Sequence, residues 1–248
     1  MMTAMTQYLF DLGNTRLKYA PLRDDGSLGD VVAVAHAGGP LPAGWDAALP
    51  VRFDAAALTT VGADALRTQL LDALTARCGR ISIARTAARF GDLRIAYPQP
   101  EALGADRFLA MLGARARNPG AWMVVGIGTA ITLDLIDADG LHRGGRIAPS
   151  PALMREALHA RAAQLPAAGG ESVAFADNTL DALRSGCDGA ALGLIHDAMA
   201  AGATLLGAVP QLLLHGGGID ALPGLGDDAV RAPALVLEGL AAWARMSA

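Results

Sequence analysis

The chain holds a single lysine. Lysine and arginine together number 20 in its 248 residues, so 19 cationic side chains are arginine and one, Lys18, is not. Arginine presents a planar fork of donors, lysine a compact ammonium on a slim stem. A position that keeps the slim charge in such a background is a candidate for facing a phosphate; a coding bias that left one lysine behind is the plain alternative. Cysteine is nearly as scarce. Cys78 and Cys187 stand alone, without metal-type spacing, and read as reduced thiols of a cytoplasmic protein. Aromatic residues make up only 4% and the formal net charge is −4 with no basic run, which leaves few stacking platforms and no electrostatic footprint for nucleic acid. The five histidines form no HxxxH or HxH pair.

Membrane features are also missing. Apolar residues reach 52%, yet the long uncharged stretch from Ala198 to Ile219 is interrupted by Pro210, Gln211, His215 and the triple glycine Gly216-Gly217-Gly218. A spanning helix needs about 20 predominantly apolar residues without such punctuation. The stretch reads as helix end, loop, strand and turn. Met1 to Leu9 has no basic region and no small-residue cleavage site, so it is not expected to be a signal peptide.

What is present is an alternation of strand and helix patterns. Gln7–Asp11, Leu17–Pro21 and Val31–Ala35 read as a meander of three strands, its first turn at Gly13-Asn14-Thr15. Leu66, Leu70, Leu71 and Leu74 give helical spacing over 64–76. A strand is expected at 80–85 and a helix over 105–117, which would bury Phe108, Leu109 and Leu112. Asn118-Pro119-Gly120 is a strong turn signal and sets the expected boundary between domains 1–118 and 119–248. The second half starts again with strands at 122–125, 130–136 and 142–147. Helices are expected at 152–164 and 179–206, bent near Gly202, then a strand at 212–214. After Pro233 a strand over 234–237 and a closing helix over 238–246 complete the reading.

Two common nucleotide sites do not fit. A P-loop needs a lysine following glycine, whereas Lys18 follows Leu17; a dinucleotide fingerprint needs a third glycine that Gly126-Ile-Gly128-Thr-Ala-Ile131 lacks. A third design fits better. A strand ends in Asp11, and a tight glycine-containing hairpin lets backbone N–H groups and hydroxyls approach phosphates. The carboxylate can hold Mg²⁺ through waters, because that ion dehydrates reluctantly. Gly128-Thr129-Ala130-Ile131-Thr132 offers a second such hairpin.

Four segments in order carry a resemblance: Asp11-Leu-Gly-Asn-Thr-Arg-Leu-Lys18, Gly104-Ala-Asp-Arg107, Gly128-Thr-Ala-Ile-Thr-Leu-Asp134 and Gly144-Gly-Arg-Ile-Ala-Pro149. Together they resemble the signature of the type III pantothenate kinases, within the acetate and sugar kinase, Hsp70 and actin superfamily. The resemblance implies an α/β fold of two ribonuclease-H-like, actin-like ATPase domains, mixed sheets flanked by helices, with a cleft between them. It implies ATP-dependent phosphorylation of pantothenate, the first step of coenzyme A synthesis, by a cytoplasmic homodimer. ATP would meet Asp11, Leu12, Gly13, Asn14, Thr15, Arg16, Leu17, Lys18 and Thr129, with Asp11 anchoring Mg²⁺ through water. Asp106 would be the general base. Tyr97, Gly104, Ala105, Asp106, Arg107 and, across a dimer interface, Thr179 would bind pantothenate. Gly216-Gly217 resembles the glycine pair near the adenosine.

Two positions depart from the family pattern. Gly126 stands where many members have an aspartate that ligates a monovalent cation, so a K⁺ or NH₄⁺ requirement is in doubt; Ser150 stands where the last motif usually ends in glycine. Two other readings stay open on the residues alone: a kinase or nucleotide hydrolase for another small molecule on the same fold, and a regulatory protein that binds nucleotide without turnover. A pure binding module has no need of Asp106, which argues against the latter.

Overall fold

The structure, a computed structural model, describes residues 6–222, 224–226 and 228–247. The chain divides into two compact units, Met1–Asn118 with Ala234–Ala248, and Pro119–Pro233.

In the first unit β1 (Gln7–Leu12), β2 (Arg16–Leu22) and β3 (Val32–Ala35) form the expected meander. It is followed by β4 (Ala55–Thr60), α1 (Asp64–Thr75), β5 (Arg80–Ile83), a short hairpin of β6 (Arg89–Phe90) and β7 (Leu93–Arg94), and α2 (Ala105–Arg117). The sheet order is β3-β2-β1-β4-β5; β1 is antiparallel to β2 and parallel to β4. Alternation along the strands divides the side chains between two faces. Phe10, Leu12, Leu17, Tyr19, Ala56 and Leu58 point to one face and pack under Leu66, Leu70 and Leu74 of α1. Leu9, Asp11, Lys18, Ala57 and Thr59 point to the other, covered by α2 and the C-terminal helix (Leu235–Met246).

The second unit repeats this plan with β8 (Trp122–Ile127), β9 (Ala130–Ile136), β10 (His142–Pro149), α3 (Pro151–Arg161), α4 (Thr179–Leu206), β11 (Gln211–His215) and β12 (Val230–Arg231). Its sheet order is β10-β9-β8-β11-β12, the same path of three antiparallel strands followed by two parallel ones. Met123, Val125, Ile131, Leu133 and Leu135 meet Ala191, Ile195 and Ala198 of α4 in the core. Asn178 caps α4 by accepting from the Asp181 N–H at 3.0 Å, and Gly207, at φ 70°, ends it in the left-handed conformation that favours glycine. α4 runs unbroken past Gly202, which sits close against Leu135 and Met123. By length and apolar composition it would suffice to cross a bilayer, but Asp181, Arg184, Asp188 and Asp197 recur along it and Arg184 pairs with the buried Asp188 at 2.5 Å.

The end of the chain differs from the sequence-based expectation. Residues 234–237 are not a strand. They open α5 (Leu235–Met246), and this helix lies in the first unit, not with the expected second domain. Two glycines bring it against α2. A Cβ on Gly239 would stand 1.8 Å from the carbonyl oxygen of Leu109, and one on Gly113 would stand 2.7 Å from that of Leu235. Arg117 then joins Glu238 with two hydrogen bonds of 2.7 Å. This contact seats α2, and hence Asp106 and Arg107, on the Asp11 face of the sheet.

Candidate active site

The β1–β2 hairpin is built for exposure of its tip. Gly13 N–H donates to the Arg16 carbonyl at 3.0 Å, and the Thr15 carbonyl accepts from both His36 N–H (2.9 Å) and Ala37 N–H (3.0 Å). His36 holds the turn from below: its Nδ1 accepts from Gly38 N–H at 3.1 Å, and its Nε2 lies 3.2 Å from the Gly13 carbonyl oxygen and donates to it. The loop after β3 therefore fixes the turn while Asn14, Thr15 and Arg16 remain exposed. Leu12 and Leu17 are fully buried on the α1 side, so of these two only the backbone is available to a ligand.

Asp11 and Lys18 are register partners across β1 and β2 and share the opposite face. Burial pushes the Asp11 carboxyl up to about 7; the negative charge of Asp106 adds to the rise and Lys18 opposes it. Burial also lowers the Lys18 ammonium, against the pull of Asp11. Asp11, Lys18 and Asp106 thus stand within electrostatic reach of one another, with two carboxylates and one ammonium in a poorly hydrated place.

Asp106 lies in the first turn of α2, where a carboxylate meets unsatisfied N–H groups; its Oδ1 accepts from the Arg107 N–H at 2.9 Å. A Cβ on Gly104 would fall 2.6 Å from Asp106 Oδ1, so a larger residue there would push the carboxylate aside. Arg107 is buried at 6% exposure. Its NH1 donates to the Tyr97 hydroxyl at 3.3 Å, and the guanidinium carbon stands 6.0 Å from the Tyr97 ring centroid. The tyrosine thereby aims a planar, permanently charged fork suited to a carboxylate. Ala105 opens the helix beside them.

Thr59, on β4, is the register partner of Asp11 on the side away from Lys18. It was not among the sequence-based candidates, because β4 itself (AAALTT) carries no alternation that marks a strand.

The second unit presents its own candidates. Thr129 is exposed at the tip of the β8–β9 hairpin, which closes with Gly128 N–H donating to the Ala130 carbonyl at 2.9 Å. Gly126 pairs with Thr132 on one side and His215 on the other. A Cβ at Gly126 would stand 2.7 Å from both His215 Nε2 and Thr132 Oγ1, so those side chains occupy the space a larger residue would need. Ser150 caps α3, its Oγ accepting from Leu153 N–H at 3.2 Å ahead of Pro151. Thr179 is the exposed first residue of α4. Gly216 has φ 97° and passes so close to β8 that a Cβ would stand 2.3 Å from the Ile127 carbonyl oxygen.

Among the described residues no group of three or more His, Cys, Asp or Glu side chains is gathered as a metal cage. A partly buried carboxylate next to an ammonium suits an ion that keeps most of its waters and takes its other ligands from phosphate, as Mg²⁺ does. Asp11 fits that role.

Comparison with known proteins shows the family. A family model described as type III pantothenate kinase matches residues 8–201. A type III pantothenate kinase of Stenotrophomonas maltophilia is 51% identical, over 97% of this chain and 98% of its own. One of Xanthomonas axonopodis pv. citri is 50% identical with the same coverage. Among solved structures, an archaeal actin homolog shares the fold with a TM-score of 0.54 at 11% identity, covering 98% of this chain and 100% of its own.

Proposed function

This chain belongs to the type III pantothenate kinase family, and from that premise we propose that it transfers the γ-phosphoryl group of ATP to the primary hydroxyl of pantothenate, the first step of coenzyme A synthesis. The observation that carries the reading is the gathering of Asp11, Lys18 and Asp106 on one face of the first sheet, with Arg107 held by Tyr97 one residue further on.

Phosphoryl transfer passes through a loose transition state, so positioning and charge matter more than covalent chemistry. Magnesium, held by Asp11 through water, would offset charge on the phosphate oxygens. Lys18 adds a second positive charge from the neighbouring strand. Asp106 accepts the proton of the attacking hydroxyl, and its place in the first turn of α2 keeps it oriented. Arg107 grips the pantothenate carboxylate. Asn14 and Thr15 offer backbone and side-chain donors to phosphate, Gly13 lets the phosphate approach the turn, and Arg16 flanks them. In the second unit Thr129 presents an exposed hydroxyl at the tip of a hairpin of the same kind.

Two finer readings accompany this one. We propose that catalysis needs no monovalent cation, because His215 and Thr132 fill the space around Gly126 in which an aspartate would start. We also propose a homodimer that brings Thr179 to the partner's substrate. Phe175 is 99% exposed, and Val173 before it and Leu180 in the first turn of α4 are exposed too, apolar side chains that a second copy would cover.

The test is acceptor-dependent ADP release with Mg-ATP across a panel of hydroxy acids and sugars, each with and without K⁺ or NH₄⁺. Turnover on pantothenate without either cation is the expected result. Turnover on another acceptor only would overturn the substrate, and strict dependence on a cation would overturn the role given to His215.

A further inference from the structure

Two threonine hydroxyls at the carboxyl end of β4, those of Thr59 and Thr60, are buried without a hydrogen-bond partner among the described residues. A native protein rarely leaves such groups unpaired, since each carries a desolvation penalty. The two differ in what surrounds them. Thr60 is the register partner of Leu12 and faces the apolar α1 side of the sheet. Thr59 is the register partner of Asp11, so its side chain emerges beside that carboxylate, on the face that also carries Lys18. Thr59 is only 1% exposed. Neighbouring strands lie about 4.8 Å apart, a spacing at which one oxygen atom can bridge a hydroxyl on β4 and a carboxylate on β1.

We propose that Thr59 is a further ligand-holding residue of the phosphoryl-transfer site, its hydroxyl binding a ligand oxygen beside the Asp11 carboxylate of the adjacent strand. The inference rests on the kinase reading above. That oxygen is either a magnesium-bound water, which donates to the Asp11 carboxylate as well, or a phosphate oxygen of ATP, to which the hydroxyl alone donates because carboxylate and phosphate are both acceptors; a hydroxyl serves either, because it donates and accepts. The orphaned hydroxyl is then a group kept ready for a ligand: unpaired in the free protein, paired in the loaded one. Lys18 closes the same gap from the far side of Asp11, so the three strands β4, β1 and β2 contribute one polar side chain each at one level of the sheet.

The test compares Thr59→Val, Thr59→Ser and, as control, Thr60→Val by calorimetric titration with the nonhydrolysable analogue AMPPNP, with and without Mg²⁺, alongside melting of the ligand-free proteins. Thr59→Val is expected to bind Mg-AMPPNP about tenfold more weakly, the effect of one lost hydrogen bond. Its ligand-free melting temperature should be unchanged or higher, because an unpaired buried hydroxyl has been removed. Thr59→Ser should restore affinity, and Thr60→Val should bind like wild type. A loss seen only with Mg²⁺ assigns the hydroxyl to the metal's water; a loss under both conditions assigns it to phosphate. Thr59→Val that binds like wild type in both conditions overturns the inference and leaves the kinase reading standing. Wild-type protein that does not bind Mg-AMPPNP overturns both.

Discussion

Replacing Gly239 by alanine sets two known effects against each other. In an exposed helix interior, alanine is favoured over glycine by about 0.8–1.0 kcal/mol. At Gly239, however, the new Cβ would lie 1.8 Å from the Leu109 carbonyl oxygen, 2.6 Å from its carbonyl carbon and 3.0 Å from Gly113 N. All three are backbone atoms of α2, so no side chain can swing aside. Carbon–oxygen contacts settle near 3.3–3.6 Å, which means the two helices must part by roughly 1.5 Å. Overpacking of this kind typically costs about 1–3 kcal/mol, and a rigid neighbour on each side places it at the upper end. The clash wins, and a net destabilisation of about 1–2 kcal/mol is expected. Because α2 carries Asp106 one turn before Leu109, turnover should fall as well, by on the order of 100-fold for a displacement near 1 Å. Urea denaturation of the ligand-free protein and a single turnover assay read both. Gly189→Ala is the control, since nothing lies within 4 Å of a Cβ there, and it should gain stability. A Gly239→Ala protein as stable as wild type would refute the claim that α5 holds α2 by backbone contact.

Other expectations follow from the same geometry. Asp11 titrates near 7 in the folded protein, above its unfolded value of about 3.9. Its contribution to stability is therefore complete below about pH 4 and is lost as pH rises to about 7, by at most about 1.4 kcal/mol per unit. Asp11→Asn should remove that slope, and the difference between the two ligand-free denaturation curves across this range measures it; parallel curves would show that the carboxyl is ionised throughout. Arg107→Lys keeps the charge but loses the planar fork. It should raise the KM for pantothenate while leaving the KM for ATP unchanged, and equal effects on both would place Arg107 elsewhere. Val173 and Phe175 changed together to serine should shift the protein toward a monomer in sedimentation, and an unaltered distribution would remove those side chains from the interface.

The fold was legible where pattern and turn chemistry agreed. The β1–β2 hairpin announced itself through an apolar run, a carboxylate and a glycine turn, and α2 through Phe108, Leu109 and Leu112 on one side. The parallel between the two halves was visible as pattern and became the shared strand order of the two sheets. β4 was not legible. It is central and buried on both faces, and its alanines give no alternation, so nothing marked it as strand. Thr59 was lost with it. The start of α5 was misread because a short apolar run after Pro233 fits a strand as well as a helix. Its return to the first unit depends on Gly113 and Gly239, whose role is visible only once the helices meet. Gly126 stood out in the sequence as a missing aspartate, but that His215 and Thr132 fill its surroundings required the register of three strands. At Ser150 the departure from glycine found its reason in a helix cap.

The central claim is that Asp106 takes the proton of an acceptor hydroxyl beside the Asp11 and Lys18 pair. The most direct measurement follows γ-labelled ATP into phosphopantothenate for wild type and Asp106→Asn, with AMPPNP affinity measured on both. Label transfer by wild type, a loss of roughly 100-fold or more in the variant, and equal nucleotide affinity are expected. Label transfer by Asp106→Asn at the wild-type rate would contradict the claim.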